Sequence, residues 1–147
     1  MKFLCDSMFG KLSKMLRMAG YDALYAQSYE RFGMVETAVA ENRVIITGDD
    51  RIILVPRLLF FTREKDPLTQ LKITRKKFNL TAENAFTRCI FCNAVLEKTT
   101  KDSVNGIVPK QVYALFFSFT RCPKCGRIFW HGTHWEKMKI KLKEAGF

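Results

Sequence analysis

The chain has 147 residues and a formal net charge of +11, from 25 basic and 14 acidic side chains. Apolar residues make up 48% of it, which supplies a folded core and excludes a globally disordered chain. The basic excess favours nucleic acid or another polyanion as partner. The longest apolar run, residues 112–117, is far shorter than the ~18 residues of a membrane span. We therefore expect no membrane association, and the cytoplasm is the default location.

The first 79 residues predict strands that alternate with helices. Residues 2–5 form a short apolar strand that ends at Asp6, and a helix follows from Ser7, with Gly20 in the position of its C-cap. The other predicted elements are strands at residues 23–26, 43–47 and 58–61, a helix through residues 32–39 and a helix opened by Asp66-Pro67 over residues 68–78. Strands separated by helices predict an α/β fold with a parallel sheet and crossover helices.

The pattern changes after Asn79. Residues 81–88 predict a polar linker, and two CxxC pairs follow, with a long strand over residues 112–120 between them. A final basic helix over residues 135–145 carries an apolar stripe of Met138, Leu142 and Ala145. We therefore expect two modules, residues 1–80 and residues 87–147.

Four of the five cysteines stand in two CxxC pairs: Cys89 with Cys92, and Cys122 with Cys125. Each CxxC turn places two sulfurs on one side of a tight knuckle, and two knuckles complete a closed four-cysteine zinc site. Gly126 permits a positive φ after the last of these thiolates. The alternatives are a redox dithiol or coincidentally buried cysteines, but a thioredoxin-like motif needs one CxxC at a helix start. The pattern predicts structural zinc, and the isolated Cys5 is expected to be a buried small hydrophobe.

Carboxylates follow two of the predicted strands. Asp6 ends the first strand, and Asp49 and Asp50 follow the third, so a parallel sheet brings them to one edge. Carboxylates there can hold one or two Mg²⁺ or Mn²⁺ ions, which activate a water and neutralise charge on a phosphodiester. Glu30 and Glu36 are candidates for a third ligand. The alternative, that Asp6 and Asp49 cap the helices that follow them, stays open on the pattern alone.

Four segments match, in order, the motifs of one known family. They are FLCDSMFGKLSKMLRMAGYD at residues 3–22, RVIITGD at 43–49, DPLTQL at 66–71 and the two CxxC pairs followed by GRIFWHGTHW at 126–135. With these motifs nearly the whole chain resembles the Mut-seven C-terminal RNase family. The resemblance implies a PIN-like parallel sheet with flanking helices, a small zinc-ribbon β module, a C-terminal helix and metal-dependent RNA cleavage. By position, Asp6 and Asp49 match the family's acidic sites, and Glu30 falls near the acid of its second helix.

Basic side chains indicate where RNA would bind. Lys11, Lys14 and Arg17 are spaced to face outward together from the helix after Asp6, where they would meet phosphates entering the acidic edge. On the last helix, Lys139 and Lys143 form a row beside the apolar stripe, and a merely solvated helix face is the alternative.

The tail that follows the cysteines mixes aromatic, basic and histidine side chains. Arg127 and His134 are RNA-binding candidates, with a structural hydrogen bond as the open alternative for His134. Trp130 is expected to pack the ribbon onto the first module, and stacking on bases is its other use.

The leading hypothesis is an Mg²⁺- or Mn²⁺-dependent RNA endonuclease. Its metal ligands are Asp6 and Asp49, assisted by Asp50, Glu30 or Glu36. The rival is a catalytically silent RNA- or ribosome-binding module with the same basic surface. A toxin-type PIN protein with an antitoxin partner is less favoured, because such toxins usually lack an appended ribbon. A shared metal requires the two aspartates to lie together, whereas helix caps would each hold a separate helix.

Overall fold

A computed structural model describes the protein over residues 1–27, 31–52, 54 and 56–147. In the first part of the chain the first three strands alternate with helices, as the apolar pattern predicts, and a 3-10 turn over Pro56–Leu58 precedes the fourth strand. The strands are β1 (Lys2–Asp6), β2 (Asp22–Ala26), β3 (Val44–Thr47) and β4 (Leu59–Phe61), and the helices are α1 (Gly10–Met18), α2 (Arg31–Glu41) and α3 (Pro67–Phe78).

The four strands described in this part form a parallel sheet in the order β2-β1-β3-β4. Phe3 in β1 lies opposite Ala23 in β2 and opposite Val44 in β3. All four residues of β3 are buried, which is why its sequence is a continuous β-branched run. Since β1 and β3 are parallel neighbours, their carboxyl ends lie side by side, and Asp6 comes next to Thr47.

Local sequence determines the ends of α1 and α3. A 3-10 turn over Ser7–Phe9 precedes α1, so the predicted helix begins less regularly than expected. Gly20 has a φ of +96°, and a Cβ there would lie 2.1 Å from the carbonyl oxygen of Asn84, so only glycine fits. At α3 the Asp66 carboxylate accepts a hydrogen bond from the backbone N–H of Thr69, and Pro67 is the first helical residue. Both predicted caps are confirmed.

Two apolar clusters cover the faces of this sheet. One contains Leu4, Ile45 and residues of α2. The other contains Leu12 and Leu16 of α1, and it also takes in Leu142 from the far end of the sequence. That leucine belongs to α5 (Thr133–Glu144), whose predicted apolar stripe of Met138, Leu142 and Ala145 is confirmed. The last helix therefore packs on the first part of the chain.

The second part contains a small antiparallel sheet in the order β5-β6-β7, formed by Glu97–Thr99, Phe119–Arg121 and Ile128–Phe129. The predicted strand over residues 112–120 is wrong, because α4 (Lys110–Leu115) covers residues 112–115 and β6 begins only at Phe119. Val112, Tyr113 and Phe116 all pack on one cluster with Phe119. A helix brings this spacing to one face, whereas a strand would turn Val112 and Tyr113 to opposite faces. The predicted α/β class, with its ribbon-like β module and terminal helix, is confirmed.

Among the helices of the described residues, none is both long and apolar enough to cross a bilayer.

Candidate functional site

The carboxyl ends of β1 and β3 bring two acidic segments into contact through one hydroxyl group. Thr47 Oγ1 donates to Asp6 Oδ2 at 2.7 Å and accepts from the backbone N–H of Asp49 at 2.9 Å. The other carboxylate oxygen of Asp6 accepts from the backbone N–H of Ser7. Thr47 is fully buried, so its hydroxyl needs these partners and fixes the Asp6 side chain against the Asp49 turn.

Arginines neutralise the two acids that follow β3. Arg51 Nε and Nη2 donate to the two carboxylate oxygens of Asp49 at 2.7 and 3.0 Å, in a bidentate pair. The exposed Asp50 carboxylate accepts from Arg63 Nη2 at 3.0 Å. Together with Asp6 these four side chains line an open groove of about 530 Å³, which we call the acidic groove. The sequence-predicted acids Asp6, Asp49 and Asp50 thus share one groove.

The candidates for a third metal ligand do not join them. Glu36 is exposed on α2 and is absent from the acidic groove lining, and Glu30 lies outside the described residues. The helix-cap alternative holds for Asp6, which caps the 3-10 turn over Ser7–Phe9. Asp49 caps no described helix, and its carboxylate accepts from the backbone N–H of Arg51 instead.

The predicted four-cysteine cluster is confirmed. The sulfurs of Cys89, Cys92, Cys122 and Cys125 all lie within 4.8 Å of one another, and the closest pairs across the two knuckles are 3.2 and 3.7 Å apart. A tetrahedral Zn²⁺ with bonds near 2.3 Å would hold its sulfurs about 3.8 Å apart. Within the described parts of the chain, no other group of three or more potential ligand side chains is close enough to hold a metal ion.

The two knuckles have the same backbone geometry. Asn93 and Gly126, which follow the last cysteine of each knuckle, have φ values of +70° and +72°, and their N–H groups donate to Cys89 and Cys122 carbonyls at 2.9 Å. The prediction for Gly126 is confirmed, and Asn93 is the other residue type that tolerates this conformation. Burial raises the pKa of the Cys89 thiol to about 12, whereas a hydrogen bond from the Arg127 backbone lowers that of Cys125 to about 6. Metal binding would therefore displace a tightly held proton from Cys89.

The prediction that Arg17 faces outward to RNA is wrong. Its side chain is buried, with Nε donating to the Ala23 carbonyl at 2.7 Å and Nη1 donating to the Ile90 and Phe91 carbonyls at 3.1 and 2.9 Å. Burial lowers the pKa of its guanidinium. Arg17 therefore joins α1 to β2 and to the first knuckle. The helical spacing of α1 carries no information about where these distant carbonyls lie, so the burial of Arg17 could not be predicted from it.

The remaining basic candidates are exposed. Lys11 and Lys14 line an open groove of about 460 Å³ beside Ser7 and Met8, which also line the acidic groove. On α5, Lys143 is exposed. Lys139 Nζ lies 4.4 Å from the centroid of Trp135 and 3.5 Å from a carboxylate oxygen of Glu136. Arg127 and His134 are exposed as well.

The expectation that Trp130 packs the ribbon onto the first module is wrong. Trp130 packs against the ribbon's own core of Val104, Val108 and Phe119. Trp135 at the start of α5 lies closer to the first part of the chain, with its ring 5.2 Å from that of Phe86, which packs against the main core. Among the site residues, sequence reasoning missed Thr47 and Arg51. Two signals in the sequence could have indicated them. Thr47 is a hydroxyl residue at the end of a strand, two positions before Asp49, and Arg51 follows Asp49 by two positions.

These features define the class of protein: an α/β unit with an acidic edge on its parallel sheet, followed by a ribbon whose four cysteines lie close enough to hold a metal ion. The chain belongs to the family of the Mut7-C RNAse domain, whose family model matches residues 1–142. Comparison with curated proteins and with solved structures gives no match. Family membership thus associates the chain with a nuclease or RNA-related role.

Proposed function

We propose that the protein is an Mg²⁺- or Mn²⁺-dependent endoribonuclease that cleaves RNA at the acidic groove. The observation that carries this proposal is the shared contact of Thr47 Oγ1 with the Asp6 carboxylate and the Asp49 backbone at adjacent strand ends. Proteins with open parallel sheets bind ligands at the carboxyl ends of the strands, where this contact lies. The family's RNAse domain indicates RNA cleavage as the reaction.

The donor set of the acidic groove fits an Mg²⁺-type ion. Proteins hold such an ion with one or two carboxylates, and waters and substrate phosphates supply the other ligands. Asp6 and Asp49 would hold it, and Arg51, whose side chain is 66% exposed, can turn away from Asp49 at small cost. When bound, the ion supplies an activated water and neutralises charge on the phosphodiester.

The chain's own residues would orient the substrate around that ion. Thr47 keeps the Asp6 carboxylate in one orientation through its hydrogen bond. Arg51 and Arg63, freed from Asp49 and Asp50, can donate to phosphate oxygens, for which the guanidinium fork is well suited. Lys11 and Lys14 continue the positive surface away from the acids, so they would position the RNA backbone.

We further propose that the four cysteines hold one structural Zn²⁺. Four thiolates close the coordination sphere, so this ion would stabilise the ribbon without catalysing a reaction. Residues 1–80 and 87–147 would then be a PIN-like nuclease module and a ribbon module that aids RNA binding. Reduced cysteines suit a cytoplasmic protein.

The test is cleavage of single-stranded RNA and of the matching DNA by zinc-loaded protein, with Mg²⁺, with Mn²⁺ or with neither ion added. Omitting the ion is better than adding a chelator, because a chelator would also remove zinc. We expect RNA to be cut internally only when Mg²⁺ or Mn²⁺ is present. RNA that stays intact under all three conditions would overturn the proposal.

A second candidate function has its own supporting observation. The Asp6 carboxylate caps a turn, and Arg51 neutralises Asp49, so both acids are satisfied without any ion. A non-catalytic RNA- or ribosome-binding zinc-ribbon protein would use the same basic surface. In the cleavage assay it would bind RNA and leave it intact.

A further inference from the structure

The second part of the chain carries a groove of about 420 Å³ between the small antiparallel sheet and the start of α5. We call it the ribbon groove. Its lining includes several aromatic rings and an arginine, among them Phe91, Arg127, Trp130, His131 and Trp135. Neither the acidic groove nor the cysteine cluster accounts for this surface.

Two stacked pairs present flat surfaces to the ribbon groove. The Arg127 guanidinium lies 4.3 Å from the ring centroid of Phe91, which is 48% exposed. The exposed His131 ring stacks on Trp135, with centroids 4.2 Å apart and planes 22° apart. Nucleobases that are not paired stack on aromatic rings and on arginine planes regardless of sequence. The lining therefore matches the chemistry of an unpaired base.

Two intermediate grooves, each sharing lining residues with the next, relate the ribbon groove to the acidic groove. The ribbon groove shares Ile90, His134 and Met138 with a second groove, which we call the lysine groove. Three lysines line the lysine groove, Lys11, Lys14 and Lys141, together with two acids, Asp66 and Glu144. Lys11 and Lys14 also line the groove beside Ser7 and Met8, at the acidic edge. At the other end, Lys14 Nζ lies 6.0 Å from the Phe91 ring. Positive side chains thus connect the acids with the aromatic lining.

We propose that the ribbon groove binds a nucleobase of a single-stranded RNA whose backbone follows the lysine groove to the acidic edge. This inference rests on the proposed function and names its substrate as an unpaired strand, because a paired base cannot enter the stack.

The test compares two strands of equal charge on zinc-loaded protein, without added Mg²⁺ or Mn²⁺. One is an eight-nucleotide RNA, and the other has the same backbone with abasic sites throughout. Wild-type protein should bind the RNA about 10-fold more tightly, since stacking contributes about 1–3 kcal/mol per base. Phe91→Ala should remove most of that preference. Phe117→Ala is the matched control, because Phe117 is also exposed, carries Lys101 Nζ 3.8 Å from its ring centroid and lies outside the ribbon groove lining.

A second measurement needs no substitution. Both tryptophans of the chain, Trp130 and Trp135, line the ribbon groove, so tryptophan fluorescence reports on it directly. The RNA should quench this fluorescence saturably, and the abasic strand should quench it much less.

Equal affinity and equal quenching with both strands would overturn the base site, as would equal losses in Phe91→Ala and Phe117→Ala. If the two strands bind equally and RNA is still cleaved, the base site alone fails and the nuclease proposal stands. If neither strand binds at all, both proposals fail together.

Discussion

Asn93 donates a hydrogen bond from Nδ2 to Oδ1 of Asp22 at 2.7 Å. Its Oδ1 also accepts from the backbone N–H of Ala23 at 3.1 Å. Asn93 follows the first cysteine knuckle, and Asp22 begins the outer strand β2, so this amide fixes the metal-binding ribbon against the parallel sheet. Arg43 completes the contact, with Nη1 and Nη2 donating to the Asp22 carboxylate at 2.6 and 3.2 Å.

Replacing Asp22 with asparagine should destabilise the protein at neutral pH by roughly 2–3 kcal/mol, because the buried Arg43 charge loses a bidentate partner. Burial alone would raise the pKa of Asp22, but hydrogen bonds from Arg43 and Asn93 outweigh it and lower that pKa below 3.8. The Asp22 contribution is therefore complete above about pH 4 and is lost as the pH falls through the lowered pKa. Urea unfolding of both proteins between pH 7 and pH 3 measures this difference.

The control for that substitution is Asp102→Asn, at an exposed aspartate in a 3-10 turn. We expect its stability at pH 7 to stay within about 0.5 kcal/mol of wild type. A stability difference between wild type and Asp22→Asn that grows toward acid pH would contradict the assigned direction of the pKa shift.

Cys92→Ser and Cys122→Ser should each abolish zinc binding and unfold residues ~87–131, while the parallel sheet survives. The ribbon core is small, with three buried apolar residues in its described cluster, so it depends on the metal. Metal analysis should give about one zinc per wild-type chain, and hydrogen exchange locates the unfolded residues. Cys5→Ala is the matched control, since Cys5 is buried in β1 away from the cluster and its loss should leave zinc content unchanged. Fully folded protein that carries no zinc would refute the prediction.

RNA affinity should fall steeply as salt rises from about 50 to 200 mM, because lysines displace counterions from phosphates. Reversing Lys139 and Lys143 to glutamate should weaken binding to all sequences similarly and reduce the salt slope. The same reversal at Lys98 in β5 and Lys110 in α4, which are exposed and lie on other elements than α5, is the charge-matched control. An affinity that does not change with salt would exclude nucleic acid as the partner.

Asp49→Asn should abolish metal-dependent cleavage and leave RNA binding equal or tighter, since a negative charge leaves the groove that faces RNA. Loss of the exposed Arg51 pair should change the melting temperature little, because solvent screens the pair. Cleavage, anisotropy and thermal unfolding measure the three quantities. Glu83→Gln, at an exposed linker residue, should behave as wild type. Full activity in Asp49→Asn would rule out the nuclease site as drawn.

Local rules predicted the elements whose signals lie within a few residues. Asp66-Pro67 specifies the start of α3 through a side-chain cap and a fixed φ, and the β-branched run of β3 is readable because both of its faces are buried. The strand prediction for residues 112–120 was wrong, because an apolar run of this length is compatible with a strand or with a buried helix. Packing of Val112, Tyr113 and Phe116 against the cluster around Phe119 favours the helix α4.

At the site, the parallel-sheet rule placed Asp6 and Asp49 at one edge of the sheet, where Thr47 contacts the Asp6 carboxylate and the Asp49 backbone. The CxxC spacing predicted the cysteine cluster. Arg17 could not be predicted in the same way. Its partners at Ile90 and Phe91 lie 73 and 74 positions along the chain, so its burial depends on how the ribbon docks. From the sequence alone, a basic residue on a helix beside an acidic edge has the pattern of a phosphate ligand.

The packing of Leu142 beside Leu12 and Leu16 has a consequence for the order of folding. This contact closes most of the chain into one loop, and such long-range contacts are slow to form because their loop entropy must be overcome first. Arg17 holds the first knuckle against α1, and a metal ion would join the second knuckle to the first. The ion would therefore shorten the loop that the α5 contact has to close. Zinc loading should therefore accelerate docking of α5, so the metal would affect how quickly the core around α1 is completed as well as how stable the ribbon is.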